Sequence, residues 1–140
     1  MIIKANSQHL NDILKIETSC FPNPWSRQSF INEINNEVSS NWVYVLNSNL
    51  VGYLFGWHIG DEFQINNIAT HEKFRRLGIA KKMINNIISK LVLKDIFLEV
   101  SKSNSSAILL YEKLGFKKNG RREKYYSDNS DAVLYKMEIK

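Results

Sequence analysis

The chain has 140 residues, 44% of them hydrophobic and 24% charged, which is typical of a single globular domain (residues 1–140) and excludes disordered and fibrous proteins. The one cysteine excludes an intramolecular disulfide and a cysteine-based metal cluster within one chain, and no apolar run approaches the ~20 residues of a membrane helix. No secretory signal is visible, so we expect a cytoplasmic protein that contacts no membrane.

Charge is unevenly distributed along the chain. The formal net charge is +5, and it divides into −3 on residues 1–70 and +8 on residues 71–140. The basic half indicates either a phosphate-bearing partner or an ordinary solvated surface, and the acidic half favours a cationic partner.

The first half of the chain is predicted to form a strand, two helices and a three-stranded meander. Asn6 or Ser7, and then Ser26, are suitable N-caps for two helices, the first of which extends to about Cys20 and is ended by Pro22. Segments rich in β-forming residues and separated by turn residues predict the strands, which are Met1–Ala5, Trp42–Leu46, Leu50–Ile59 and Glu62–Thr70.

The second half alternates between helices and strands. Apolar residues recur on one side of a helix predicted from about Leu77 to Val92. Another helix is capped by Asn104, ends near Leu114 and is followed by Gly115, a residue that commonly stops helices. Strands are predicted at Asp95–Val100, from Phe116 onward and at Asp131–Ile139. This alternation indicates an α/β fold with a partly parallel sheet covered by helices.

The helix that begins near Leu77 has no N-cap. No Ser, Thr, Asn or Asp occurs from Glu72 to Leu77, so its first backbone N–H groups have no side-chain acceptor. Cations crowd this positive end of the helix dipole, each unfavourable by roughly 0.3–1 kcal/mol when exposed: Lys73, Arg75, Arg76, Lys81 and Lys82. A bound anion resolves both problems, and Gly78 and Ala80 are small enough to let it approach. We therefore predict a phosphate or pyrophosphate site; the alternative is a basic loop whose N–H groups bind water.

Several segments carry a family resemblance. Strand Asn67–Thr70, loop Arg75–Ala80 and the helix after it resemble the acetyl-CoA-binding motif of the GNAT N-acetyltransferases, Gln/Arg-x-x-Gly-x-Gly/Ala. The segment Leu98–Phe116 is similar to the next motif of that family. Phe21–Ser26 and Arg122–Tyr126, together with Asp131-Ala132, resemble the branch that acetylates the N-terminal Ala of a small-subunit ribosomal protein.

The resemblance implies the GNAT fold, in which a mixed sheet of about six to seven strands is flanked by four helices, and it implies acetyl-CoA as co-substrate without a metal. In the family, the loop and first helical turn hold the pyrophosphate, a strand backbone holds the pantetheine arm, and one more side chain hydrogen-bonds the cofactor. The corresponding residues are Arg75, Arg76, Leu77, Gly78, Ile79, Ala80 and Lys81 for the pyrophosphate, Ile68, Ala69 and Thr70 for the arm, and Asn104 for the hydrogen bond.

By the same resemblance, Glu99 is the general base and Tyr111 the general acid. An amine must lose a proton before it attacks a thioester, and an α-amine with a pKa near ~7.7–8.0 needs a weaker base than a Lys amine near ~10.4. Glu99 shares a strand face with Phe97, so we expect apolar surroundings. Without the resemblance, Glu99 is a strand-end carboxylate that faces water or pairs with a Lys, and Tyr111 is a core tyrosine whose O–H is satisfied locally.

The remaining candidates are weaker. Cys20 is expected to be a small buried residue, and the three histidines lack metal-ligand spacing. The three tryptophans are expected to be packing residues, with Trp25 also shaping a peptide groove. The basic run 117–124 is expected to be a solvated hairpin. Thr70 and Ser127 depart from the family pattern, which has an apolar residue at the first position and often Pro at the second.

The expected activity is transfer of an acetyl group from acetyl-CoA to a protein N-terminus, by a monomer or weak dimer without direct nucleic-acid contact. Rival acceptors are a Lys side chain, a polyamine or a drug amine. Two alternatives come from other classes. A nucleic-acid-binding module would use the basic half and bind RNA with steep salt dependence. A CoA-binding sensor without turnover would not need Glu99 and Tyr111 together.

Overall fold

The computed structural model describes residues 1–126 and 130–140. Within these ranges, four α-helices and seven β-strands follow one another along the chain, with short 3-10 helices at Ser7–His9 and Glu72–Phe74. The elements are β1 (Ile2–Lys4), α1 (Leu10–Cys20), α2 (Arg27–Ile34), β2 (Ser39–Leu46), β3 (Asn49–Ile59), β4 (Glu62–Thr70), α3 (Ile79–Lys90), β5 (Asp95–Ser101), α4 (Ser105–Leu114), β6 (Lys117–Arg122) and β7 (Ala132–Glu138). No helix in the described ranges is both long enough and apolar enough to cross a bilayer.

The strands form one mixed sheet in the order β1-β2-β3-β4-β5-β7-β6. Among the described strands, only β4 and β5 are parallel neighbours. Helix α3 connects them and brings the chain back to the end of the sheet at which β4 began. All other neighbouring strands pair antiparallel. The predicted α/β fold, with about six to seven strands and four helices, is confirmed.

Local sequence sets the helix boundaries. Ser26 caps α2 and Asn104 caps α4 as predicted, and Gly115 ends α4 in the left-handed conformation. Asn6 caps the 3-10 turn at Ser7–His9, from which α1 continues without a side-chain cap of its own. The predicted bounds of α3 were too wide, since it begins only after Gly78, whose φ of 75° is not helical.

The two faces of the sheet bury separate hydrophobic clusters, because alternate residues of a strand point to opposite faces. Helices α3 and α4 cover one face, where Leu54, Ile65 and Leu98 are buried. Helices α1 and α2 cover the other face, where Phe30 packs at 5.9 Å from Tyr53 and 5.0 Å from Phe55, measured between ring centroids. The sheet is therefore a two-sided core in the middle of a three-layer arrangement.

The sheet opens between β4 and β5. Opposite β3, Phe55 pairs with Asn67 and Gly56 pairs with Ile65, so Asn66 is an extra residue in a β-bulge. The β4–β5 pairing ends at Ile65 and Leu98, although both strands continue beyond these residues. The edge of β4 from residue 66 onward therefore has no strand partner on the β5 side, and a cleft begins there.

Candidate active site

A cleft of about 480 Å³ occupies the opening between β4 and β5. Its walls come from the end of α1 and the loop after it, from β4 around the bulge, from β5, and from α4. Among the residues predicted for the site, it brings together Glu99, Tyr111, Ile68 and Asn104. The loop of residues 75–81 does not line this cleft.

Glu99 faces the cleft from β5, and its side chain is 25% exposed. Its carboxylate forms an ion pair with Arg122, whose Nη2 lies 3.2 Å from Oε1. Phe97 lines the neighbouring cavity together with Glu99, and β6 and β7 fold back beside β5 and add a cation that the sequence analysis did not foresee. The guanidinium of Arg122 also lies 5.3 Å from the ring centre of Tyr125.

Tyr111 is buried on α4 and reaches the same cleft. Its ring packs edge-on against Phe116, with 5.9 Å between ring centroids, and its hydroxyl makes no hydrogen bond to any described residue. Desolvation by burial, with a smaller contribution from Tyr126, raises the pKa of Tyr111 to about 12. The hydroxyl therefore stays protonated at neutral pH and is a free donor at the cleft wall.

The N-terminus of α3 has no side-chain cap, as predicted. Gly78 and Arg76 both adopt positive φ angles, 75° and 66°, and the side chains of Arg76, Leu77 and Lys81 are exposed. A Cβ at Gly78 would meet no atom of the described residues within 4 Å, and the positive φ of this residue favours glycine. The first N–H groups of this 12-residue helix remain available to an anion.

The side chains of three predicted cofactor residues are engaged or at least partly buried within the protein. Arg75 donates from Nε to the carbonyl oxygen of Thr70 at 3.3 Å and from Nη2 to Cys20 Sγ at 3.3 Å, which ties the loop to the end of β4. Cys20 is therefore half-buried and partnered, not simply buried. Ile79 is in the core, so only its backbone faces outward. Ala80 is half-buried in the first turn of α3.

The strand backbone and Asn104 lie on opposite sides of the opening. Ile68, Ala69 and Thr70 follow the point where β4 loses its partner, so one edge of their backbone is open to an extended ligand. Asn104 Oδ1 accepts from the backbone N–H of Ala107 at 3.3 Å and thereby caps α4. The amide nitrogen of Asn104 donates to no described residue and is free to bind a ligand.

Sequence reasoning missed the role of Glu17, a residue of α1. Glu17 is 1% exposed and borders the cleft. Its carboxylate accepts from Tyr53 Oη at 2.6 Å, Asn67 Nδ2 at 2.8 Å and the backbone N–H of Trp25 at 2.9 Å. Burial and this contact raise the pKa of Tyr53 above its ordinary value. The signal available in the sequence was a Glu on the apolar side of α1, a place where a carboxylate needs hydrogen-bond donors.

A second cavity of about 800 Å³ adjoins the cleft on the α2 side of the sheet. Trp25 borders both cavities, in agreement with its predicted place in a groove. Trp57 is 36% exposed and lines the second cavity, so the expectation that it is only a packing residue was wrong. The hairpin from residue 117 is exposed as expected, and Arg121 and Arg122 form ion pairs with Asp131 and Glu99. Ser127 lies outside the described residues.

These features fit an extended ligand with an anionic group. An open strand edge leads away from the cleft, and an uncapped helix end with exposed cations lies beyond it. The cleft itself offers a carboxylate and a free phenolic donor. Within the described ranges, no group of three or more His, Cys, Asp or Glu residues is arranged to hold a metal ion.

Comparison with known proteins identifies the ligand class. The pattern of the "Acetyltransferase (GNAT) family" matches residues 10–116. The chain is 31% identical over 131 residues to a "Putative [ribosomal protein bS18]-alanine N-acetyltransferase" of Bacillus subtilis, covering 91% of this chain and 87% of that protein. It is 29% identical to an "N-alpha-acetyltransferase" of Saccharolobus solfataricus, covering 93% and 87%.

A solved structure agrees with these sequence matches. The ribosomal-protein-S18-alanine N-acetyltransferase of Escherichia coli superposes with a TM-score of 0.90 at 28% identity, covering 99% of this chain and 93% of that one. Ard1 of Thermoplasma volcanium superposes with a TM-score of 0.92 at 23% identity and supports the fold. The chain thus belongs to the GNAT family of acetyltransferases, enzymes that transfer an acetyl group from acetyl-CoA to an amine.

Proposed function

We propose that this enzyme acetylates the N-terminal α-amine of a protein, and that the acceptor is the N-terminal Ala of a small-subunit ribosomal protein. The observation that carries the proposal is the pairing of Glu99 and Tyr111 on the walls of one cleft, where the partner-free hydroxyl of Tyr111 and the carboxylate of Glu99 are both accessible. This pairing supplies a proton acceptor and a proton donor to one reaction site.

Glu99 acts as the general base in this proposal. Its carboxylate, which forms an ion pair with Arg122, is the group that accepts a proton from the ammonium group of the acceptor. An α-amine is easier to deprotonate than a Lys side chain by about 2.5 pKa units, or roughly 3.4 kcal/mol. A partly exposed carboxylate therefore suits an N-terminal acceptor better than a Lys acceptor.

Tyr111 acts as the general acid. Because its hydroxyl stays protonated at neutral pH and has no other hydrogen-bond partner among the described residues, it is free to donate to a leaving thiolate. Bound acetyl-CoA supplies the activated acetyl group. The open β4 backbone at Ile68–Thr70, the amide of Asn104 and the turn Arg75–Lys81 would hold the cofactor, as the family resemblance implies.

The acceptor is inferred from the relatives. The Escherichia coli relative is named a [ribosomal protein bS18]-alanine N-acetyltransferase and the Bacillus relative a putative one, and the chain covers 99% and 87% of these two proteins. The archaeal relative is named more generally as an N-alpha-acetyltransferase. These names agree on an α-amine acceptor, and the first two support the ribosomal substrate.

Steady-state kinetics of three variants and one control variant test the assignments. Arg76→Ala is expected to raise the KM for acetyl-CoA several-fold, whereas Lys90→Ala, which removes the same charge at the opposite end of α3, leaves it unchanged. Glu99→Gln is expected to lower kcat by about 10²-fold and Tyr111→Phe by about 10-fold or more, with the acetyl-CoA KM retained. An unchanged kcat in Glu99→Gln would refute the assignment of Glu99 as the general base.

A further inference from the structure

The cavity beside the cleft has its own chemistry. Besides Glu99 it is lined by two more carboxylates, Glu33 on α2 and Glu62 at the start of β4, and by aromatic rings from Trp25, Trp57, Tyr125 and Tyr126. Resting on the proposed function, we propose that this cavity binds a cationic side chain, Arg or Lys, that closely follows the N-terminal residue of the acceptor protein.

The second cavity lies next to Glu99, so an acceptor whose amine is at Glu99 can reach it. The cleft and the cavity share a boundary formed by Trp25, Ile65, Asn66, Glu99 and Tyr126. A polypeptide whose first residue lies at Glu99 must continue outward from that boundary. The second cavity, at about 800 Å³, has room for a long side chain and the adjoining backbone.

Charge favours a cation in that place. Among the described residues of the cavity lining, Arg122 is the one cation, and it is engaged with Glu99. The Glu62 side chain makes no ion pair or hydrogen bond to a described residue. Glu33 accepts from Trp57 Nε1 at 2.7 Å and Ser39 Oγ at 2.8 Å, both neutral donors. Two carboxylates therefore lack a cationic partner in a chain with a net charge of +5.

Aromatic walls favour the same ligand. Trp57 and Tyr125 are 36% and 51% exposed, which leaves ring surface for a guanidinium or an ammonium group to cover. The hydrogen bond from Trp57 Nε1 to Glu33 fixes the ring beside a carboxylate, so one side chain can contact both. Arg122 already uses one ring in this way, lying 5.3 Å from the ring centre of Tyr125.

An independent feature at the boundary indicates a peptide ligand. Asn66 is the extra residue of the β4 bulge and lines both cavities. Its Nδ2 is buried and has no hydrogen-bond partner among residues 1–126 and 130–140. A buried amide donor without a partner costs stability unless a ligand satisfies it. A backbone carbonyl of the acceptor would supply that partner between the amine and the cationic side chain.

The test compares peptides that differ by one charge. Peptides with a free N-terminal Ala carry Arg or, as the matched control, Gln at position 2, 3 or 4, and kcat/KM is measured at low ionic strength. The wild-type enzyme is expected to prefer Arg over Gln by at least 10-fold at one or more positions, through KM. The Glu33→Gln/Glu62→Gln double variant is expected to reduce this preference to 2-fold or less.

Glu37→Gln serves as the control enzyme, because Glu37 is exposed and lines neither cavity. It is expected to keep the full Arg preference. Equal acetylation of Arg and Gln peptides by the wild type, or an unchanged preference in the double variant, would overturn the cationic subsite and leave N-terminal acetylation standing. Absence of transfer to every peptide would overturn the proposed function and the subsite together.

Discussion

Glu17→Ala is expected to destabilise the fold by about 2–6 kcal/mol. The carboxylate is 1% exposed and accepts from Tyr53 Oη and Asn67 Nδ2, two donors that are themselves buried. Each buried donor left without a partner costs about 1–3 kcal/mol, which gives the range. The backbone N–H of Trp25 also loses its acceptor, so the loop after α1 should loosen at the cleft wall.

Tyr53→Phe provides the matched comparison. This variant removes one hydrogen-bond donor and leaves the Glu17 carboxylate with two donors. The free energy of unfolding should therefore fall by the value of a single hydrogen bond to a charged group, about 1.5–3 kcal/mol. Urea denaturation gives the free energies of unfolding, and for a chain of this length each kcal/mol corresponds to about 3–4 °C in Tm. If Glu17→Ala unfolded within 1 kcal/mol of the wild type, the reasoning about the buried network would be refuted.

Three further predictions concern the frame of the site. Gly56→Ala should reduce the free energy of unfolding by about 1–3 kcal/mol, because a Cβ there would collide with the Phe63 ring; urea denaturation checks it. Asn104→Ala should lower Tm, because the loss of the helix cap costs about 1 kcal/mol of stability. Asn104→Asp should keep the cap but remove the amide donor, and should therefore raise the KM for acetyl-CoA. Burial raises the pKa of Tyr111 from 10 to about 12, so the unfolded chain loses the phenolic proton at a lower pH than the folded protein does. The free energy of unfolding should therefore be unaffected by this group below pH 10 and fall between pH 10 and 12. In pH-dependent denaturation, Tyr111→Phe should make that fall smaller by about 2–3 kcal/mol.

The order of elements could be predicted from the sequence because it depends on local signals. Asn47 and Ser48 both adopt the positive φ angles of a two-residue hairpin turn, and the caps at Ser26 and Asn104 formed as their residue types indicate. The missing cap of α3 was also visible in the sequence, since it required only the absence of Ser, Thr, Asn and Asp before the helix.

Contacts between distant segments could not be predicted in the same way. The bonds from Tyr53 and Asn67 to Glu17 join residues 36 and 50 positions apart. The ion pair of Arg122 with Glu99 depends on the register of two strand pairs, β5 with β7 and β7 with β6. The bulge at Asn66 exists only relative to β3. Each of these features belongs to the assembled sheet and gives no periodic signal along the chain.

Mass spectrometry of a two-peptide reaction tests the central claim most directly. The purified enzyme is incubated with acetyl-CoA and an equal mixture of two peptides, one with the free N-terminal Ala of the ribosomal protein and one with a blocked N-terminus and an internal Lys. We expect acetylation of the first peptide alone. Modification of the Lys peptide alone, or of neither peptide while a polyamine or a small-molecule amine in the same assay is acetylated, would contradict the N-terminal assignment.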